Sequence, residues 1–152
     1  MKNPLIISHL ASLLLAGAIY LFFRDPELIF FGWIDQLGLS GTIDALQSSL
    51  SEIADSLPSW SIYSLPDGLW LFSYMCLMLF IWRKSLTNAA LFWVFLLPAF
   101  AFILEIGQGM NWFSGTFDII DVLFYCFATL LPFVLYRKRI NFIPNSKIQH
   151  EK

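Results

Sequence analysis

The sequence predicts an all-α integral membrane protein, a bundle of four transmembrane helices with an extracytoplasmic amphipathic helix between the first two. Hydrophobic residues make up 58% of the chain and charged residues 13%, whereas average soluble domains have about 45–50% and about 25%. The apolar residues form long uninterrupted blocks. A chain of 152 residues cannot hide such an excess in one water-soluble core. Lipid is the simplest solvent for these blocks, so we expect membrane lipids as partners.

The charged residues and the cysteines exclude several other classes of protein. The net charge is −2, and the basic residues form short clusters beside apolar blocks instead of lining one face. Nucleic-acid binding is therefore not expected. Cys76 and Cys126 fall inside apolar blocks, so we expect buried, inert thiols and neither a disulfide nor a metal pair.

The first predicted helix covers residues 4–23. Twenty residues at about 1.5 Å each match a bilayer core of about 30 Å. A signal peptide is the alternative, because residues 16–18 have the small-x-small form of a cleavage site. The apolar run continues past them to Phe23, and only Lys2 precedes it, which favours a retained anchor. His9 in this helix is interpreted as hydrogen-bonded within the bundle, with a proton relay as the alternative.

An extracytoplasmic segment is predicted at residues 24–64, with an amphipathic helix at 42–57. The apolar residues of that helix recur at spacings of three and four, namely Ile43, Leu46, Leu50, Ile53 and Leu57, which is one helical stripe. Its polar face has no Lys or Arg, although a helix that binds anionic lipid should be basic. The stripe is therefore expected to pack on the bundle.

Three further transmembrane helices are predicted at residues 65–82, 86–106 and 117–136. Pro98 and Pro132 lie inside the last two, where a missing N–H is expected to bend the helix. Residues 1–140 would form a single domain, and residues 141–152 a polar cytoplasmic tail.

The basic residues predict the orientation of the helices. Eight of the nine would lie on one side of the membrane if both termini and the 83–85 turn share that side: Lys2, Arg83, Lys84, Arg137, Lys138, Arg139, Lys147 and Lys152. Arg24 is the ninth and would lie opposite. Because basic residues are enriched in cytoplasmic loops, both termini are predicted to be cytoplasmic.

Polar side chains cluster where three predicted helices meet the outer face. Asp67 begins the second helix, Glu105 and Gln108 end the third, and Asp118 and Asp121 begin the fourth. Ionisable groups in membrane segments are costly and usually mark a site. We therefore expect a shared outer cavity, with Trp70 or Tyr74 as an apolar wall.

Helix capping is the competing interpretation of these acids. It explains Asp67 and Asp118, which stand at helix starts where the helix dipole favours an acid. It explains Asp121, about one turn further in, less well. Glu105 stands at a helix end where the dipole disfavours an acid, so it needs a partner, a cation or a proton. Glu105 and Asp121 are therefore the candidate catalytic pair, and Asp67, Gln108, Asp118, Trp70 and Tyr74 the candidate ligand-binding residues.

These motifs resemble a known family. Glu105-x-x-Gln108, a glycine-containing turn and the stretch Gly115-Thr116-Phe117-Asp118-x-x-Asp121 are similar to the E-x-x-Q and R-x-x-D-x-x-D signature of the VanZ-like family. Its members are small bacterial membrane proteins, some of them linked to teicoplanin resistance. Asp67 with Tyr74 matches an earlier Asp-led motif, and the resemblance covers roughly residues 64–136. It implies the bacterial cytoplasmic (inner) membrane as the location.

The chain departs from that family at its cationic positions. Gly115-Thr116 replaces the usual Arg, and Gly68, Trp70 and Leu71 stand where a Lys and a His are usual. Any catalysis that relies on that His therefore cannot be assumed.

The leading hypothesis is a cell-envelope protein whose acidic outer pocket binds a lipid-linked or cationic ligand, or modifies it with Glu105 as general base. No cofactor is expected, although the carboxylates could hold a divalent cation. The alternative is a non-catalytic subunit that docks to other membrane proteins through residues 24–64. A proton- or cation-coupled transporter is a third interpretation and is less favoured, because four helices with no acid near the bilayer midplane make a poor single-chain pathway.

Overall fold

The computed structural model describes residues 3–25 and 29–142. Within them lie eight α-helices and a final 3₁₀ turn at Arg137–Arg139: α1 (Pro4–Phe23), α2 (Ile29–Gln36), α3 (Ser40–Ser49), α4 (Ser51–Ser56), α5 (Ser59–Ile62), α6 (Ser64–Trp82), α7 (Asn88–Gly109) and α8 (Ile119–Tyr136). Lys2, Lys147, Lys152 and the predicted tail from residue 143 onward lie outside the described residues.

Within residues 3–25 and 29–142, four helices are long and apolar enough to cross a membrane, namely α1, the α5–α6 stretch, α7 and α8. This is consistent with a multi-pass membrane protein. The predicted bounds are close to the observed ones. The third predicted transmembrane helix, α7, begins at Asn88 because the Thr87 side chain accepts a hydrogen bond from the N–H of Ala90 at 3.2 Å. The fourth begins at Ile119 because Asp118 caps it in the same way.

Helix α6 is the centre of the bundle, with α1 and α8 packed against it. Met75, Cys76 and Leu79 of α6 are fully buried in the main core, together with Leu5 of α1 and Val94 of α7. The outward faces of α1, α7 and α8 expose many large apolar side chains. Water disfavours such faces, whereas lipid does not.

The α6–α7 turn and the end of the described chain lie together at one end of the bundle. The N–H of Asn141 donates to the carbonyl of Arg83, and the N–H of Leu86 donates to the carbonyl of Asn141, both at 2.9 Å. Leu5, near the start of α1, packs into the same core as Leu86. This end carries Arg83, Lys84, Arg137, Lys138 and Arg139, and we call it the basic end. The opposite end carries Asp67, Glu105, Asp118 and Asp121, and we call it the acidic end.

The prediction of one packed amphipathic helix at residues 42–57 is wrong in two respects. The segment is divided at Leu50 into α3 and α4. The hydroxyl groups of Ser48 and Ser49 donate to the carbonyl of Ala45, at 2.9 and 2.7 Å, and such bonds compete with the helical backbone bonds.

The apolar stripe of this segment is also mostly uncovered. Ile43 is buried against α2, but Leu46 is 42% exposed and Ile53 is 50% exposed. Hydrogen bonds from Gln47, and not the apolar stripe, connect α3 to α1. The side-chain amide of Gln47 donates to the carbonyls of Leu21 and Arg24, at 2.9 and 3.1 Å.

Candidate functional site

A cavity of about 290 Å³ opens at the acidic end. Its walls come from the residue after α1, from α5, from the first turn of α6, and from the loop and first turn that lead into α8. The lining residues are Arg24, Ser59, Trp60, Tyr63, Ser64, Asp67, Thr116, Asp118 and Asp121. Three of the acids that the sequence singled out therefore meet at one cavity.

Arg24 and Asp67 form a loose ion pair in this cavity. Nη2 of Arg24 lies 3.9 Å from Oδ2 of Asp67. The guanidinium also lies over the rings of Tyr20 and Tyr63, 5.3 and 4.9 Å from their centroids, so cation–π attraction helps to hold it. Arg24 is the single basic residue among the described residues that line the cavity. It provides one cation against three carboxylates.

Asp118 combines two roles. Its Oδ1 accepts a hydrogen bond from the N–H of Ile120 at 2.8 Å, which caps α8. Its backbone carbonyl accepts from the N–H of Asp121 at 3.1 Å. The capping interpretation is therefore correct for Asp118, and yet the residue lines the cavity as well. Asp121, in the first turn of α8, lines the cavity beside it.

Glu105 stands behind the cavity and is not one of its lining residues. It is 4% exposed, and its Oε1 accepts a hydrogen bond from the backbone N–H of Asp118 at 2.7 Å. The N-terminus of α8 thus provides the partner that an acid at the end of α7 was expected to need. The partial positive charge at a helix start stabilises a nearby carboxylate.

Gln108 packs on the α7–α8 loop and does not line the cavity. Gly115 has a φ of +133°, and a Cβ built on it would lie 2.7 Å from Cδ of Gln108. A Cβ on Gly107 would lie 2.4 Å from the ring of Phe113. These two glycines allow the loop to fold closely against the end of α7, which brings Thr116 and Asp118 to the cavity.

The predicted aromatic wall is formed by other residues. The Trp70 ring lies 5.2 Å from the Tyr20 ring, and the Tyr74 hydroxyl donates to the carbonyl of Trp93. Neither residue lines the cavity, whereas Trp60 and Tyr63 do. The sequence did carry a signal for Trp60. Trp60, Ser64 and Asp67 are spaced by four and three residues, so one nearly continuous helical stretch presents them on one face.

Ser64 is a buried polar residue at the cavity. The residue is 1% exposed and lines the cavity. Its hydroxyl oxygen has no hydrogen-bond partner within the part of the chain that the structure describes, and neither has Nε of Arg24. Buried polar atoms left unpaired cost free energy, so a ligand that satisfies them would be stabilised.

His9 is hydrogen-bonded within the bundle, as expected from the sequence. Its Nδ1 lies 2.7 Å from Oγ of Ser73, and the Ser73 hydroxyl also contacts the carbonyl of His9 at 3.1 Å. Ser12 donates to the carbonyl of Ser8 at 2.7 Å. The His9–Ser73 bonds join α1 to α6, and the Ser12 bond lies within α1. Such bonds stabilise helices in a membrane, where polar groups have no water to bond with.

The cavity brings three carboxylates and the rings of Trp60 and Tyr63 together, groups that in proteins attract cations and hydrogen-bond donors. Among residues 3–25 and 29–142, no three His, Cys, Asp or Glu side chains are arranged to hold a metal ion. No protein-family model matches the chain, and no curated protein or solved structure is significantly similar to it.

Proposed function

We propose that this chain is a VanZ-like protein of the bacterial cytoplasmic membrane whose acidic cavity binds an ammonium-bearing ligand at the outer leaflet. The distribution of basic residues supports the orientation. Five of them share the basic end in the structure, and Arg24 lies at the other end. Since basic residues favour the cytoplasmic side, the cavity opens outward.

The observation that carries this proposal is the imbalance of charge in the cavity. Asp67, Asp118 and Asp121 all line it, and among the described residues the ion pair that Arg24 forms there is with Asp67, at 3.9 Å. Like charges in a partly desolvated pocket repel each other. An ammonium group relieves this repulsion and donates hydrogen bonds to carboxylate oxygens, while Trp60 and Tyr63 offer ring faces to its charge.

This arrangement supports ligand binding more directly than catalysis. Glu105, the candidate general base, uses one carboxylate oxygen to hold the start of α8. Asp121 is the better-placed acid for contact with a ligand, because it lines the cavity and stands beyond the capping residue.

The proposal is tested by titrating the purified protein with ethanolamine at low ionic strength. Asp121→Asn keeps the shape of the side chain and removes its charge, so binding should weaken about ten-fold, the size of one charge-assisted hydrogen bond of about 1.5 kcal/mol. Asp55→Asn is the control, since Asp55 is exposed on α4, away from the cavity. Equal affinities for the wild type and both variants would contradict the proposal.

A docking subunit is the second candidate, and one observation favours it. Leu46 and Ile53 are left uncovered on α3 and α4, and Trp33 and Leu37 near the end of α2 are exposed as well. If this surface binds a partner protein, replacing Leu46 and Leu50 with Lys should abolish co-purification of that partner. Ser48→Lys and Asp121→Asn should leave it intact. The reverse pattern would favour the cavity as the functional site.

A further inference from the structure

An apolar groove lies beside the acidic cavity, on α6 and α8, two of the helices that line the cavity. It measures about 170 Å³ and is lined on α6 by Leu65, Leu69 and Phe72 and on α8 by Phe124, Phe127 and Leu131. The cavity uses Ser64 and Asp67 of α6 and Asp118 and Asp121 of α8. On α8 the groove begins about one turn past Asp121, whereas on α6 it begins at Leu65, level with Asp67. On each helix its lining extends for about 10 Å at 1.5 Å per residue.

Trp60 marks the boundary between the two spaces. It lines the cavity, and its ring stacks on Phe124 of the groove with 5.9 Å between centroids. Gly68 and Phe124 meet closely at the same level, where a Cβ on Gly68 would lie 2.9 Å from Cβ of Phe124. The cavity and groove residues occupy neighbouring faces of each helix, so a ligand that fills both must bend past Trp60.

We propose that the cavity and the groove together hold one membrane lipid, with a primary-ammonium phosphodiester head group in the cavity and an acyl chain in the groove. This inference rests on the proposed binding of an ammonium group and names the molecule that carries it. A primary ammonium has three N–H donors. The cavity presents three carboxylates and the hydroxyl of Ser64, which has no hydrogen-bond partner among the described residues.

The phosphate of such a lipid has a partner in Arg24. The contact of Arg24 with Asp67 is long, at 3.9 Å, and its buried Nε has no partner among the described residues. Guanidinium groups bind phosphate oxygens through paired N–H donors. A zwitterionic head group therefore matches both signs of charge in the cavity, which a simple cation does not.

The groove favours a lipid over a soluble amine. Every residue that lines it is apolar, and Leu131 on its rim is 41% exposed on the outside of the bundle. An acyl chain could therefore enter sideways from the bilayer and contact apolar side chains along its length. Because the groove lies beside the carboxylates, a head group in the cavity and an acyl chain in the groove would belong to one molecule.

The test compares the affinities of whole lipids and of a free head group for the delipidated, full-length protein in detergent micelles. The probes are phosphatidylethanolamine, phosphatidylcholine and free O-phosphoethanolamine, with affinities measured by native mass spectrometry. Phosphatidylethanolamine should bind about ten-fold more tightly than phosphatidylcholine, which keeps the charge but has no N–H donors, since each 1.4 kcal/mol is ten-fold.

Variants separate the groove from the cavity. Leu131→Trp and Leu69→Trp should fill the groove and weaken phosphatidylethanolamine about ten-fold, while O-phosphoethanolamine binds as before. Leu130→Trp is the matched control, because Leu130 is 62% exposed and lies outside the groove. Thermal melting of each variant checks that it is folded, and the second groove position replaces the first if one variant is not.

The two hypotheses fail differently. If O-phosphoethanolamine and both lipids bind alike, and the groove variants change nothing, the lipid inference is overturned while ammonium binding stands. If Asp121→Asn leaves the affinity for O-phosphoethanolamine and phosphatidylethanolamine unchanged, the proposed function itself is overturned.

Discussion

Oε1 of Glu105 lies 2.7 Å from the backbone nitrogen of Asp118, so the buried acid at the end of α7 accepts a hydrogen bond from the residue that caps α8. The side chain of Asp118 in turn accepts from Ile120 at 2.8 Å. One carboxylate thus holds the next in place, and the second caps its own helix. This chain of contacts fixes where Asp118 and Asp121 stand at the cavity.

The first prediction separates the two roles of Glu105. Glu105→Gln keeps an oxygen acceptor for the Asp118 N–H, so stability and amine binding should both be retained. Glu105→Ala leaves that N–H unpaired, which should lower the free energy of unfolding by about 1–3 kcal/mol. Thermal melting and ethanolamine titration measure the two effects. A Gln variant that melts normally but loses binding would instead show that the charge of Glu105 is needed to hold the amine.

A second pair of variants separates capping from charge at Asp118. Asp118→Asn keeps a good N-cap, so the melting temperature should hold while ethanolamine binding weakens. Asp118→Ala removes the cap and should cost about 0.5–2 kcal/mol of stability in addition. Binding as tight in the Asn variant as in the wild type would mean that Asp118 serves the helix alone.

The sequence predicted the long helices well because their signal is local. Twenty apolar residues define α1 without reference to any neighbour, and the observed bounds of Pro4–Phe23 are the predicted ones. The segment after α1 was harder, because its structure depends on competition between weak terms. The spacing of the apolar residues alone predicted one helix. In the structure, Ser48 and Ser49 donate hydrogen bonds to the backbone just before the break at Leu50, and Gln47 is hydrogen-bonded to α1.

The sequence predicted which acidic residues meet at the candidate site, but it did not predict the aromatic residues that line it. Alternating helix directions place Asp67, Asp118 and Asp121 at one end, and the structure brings them to one cavity. Which face each residue presents is set by packing. Gln108 packs against the tight α7–α8 loop at Gly115, and neither it nor Glu105 lines the cavity. Trp60 and Tyr63 line it instead.

Orientation in the membrane gives a third prediction. A reporter fused after Lys152 should read cytoplasmic, and one inserted near Ser49 should read extracytoplasmic, because the basic residues concentrate at the end opposite the cavity. Paired phosphatase and fluorescent-protein fusions measure both positions. The opposite reading at both points would place the cavity in the cytoplasm and exclude an outer-leaflet ligand.

The last prediction concerns the contact between α6 and α8. A Cβ on Gly68 would lie 2.9 Å from Cβ of Phe124, and no rotamer of Phe124 can move that atom. Gly68→Ala must therefore push the two helices apart, at a cost of about 1–3 kcal/mol. The cavity lies about one turn above this contact, so the affinity for ethanolamine should fall together with the melting temperature.

Gly17→Ala is the matched control for that variant. Gly17 also lies within a long apolar helix, α1, but a Cβ there meets nothing within 4 Å. Since alanine is the better helix former by about 1 kcal/mol, Gly17→Ala should melt at the wild-type temperature or slightly above it, with unchanged binding. If both glycine variants lose stability equally, the loss does not come from the contact between Gly68 and Phe124, and close packing of α6 on α8 is not what supports the cavity.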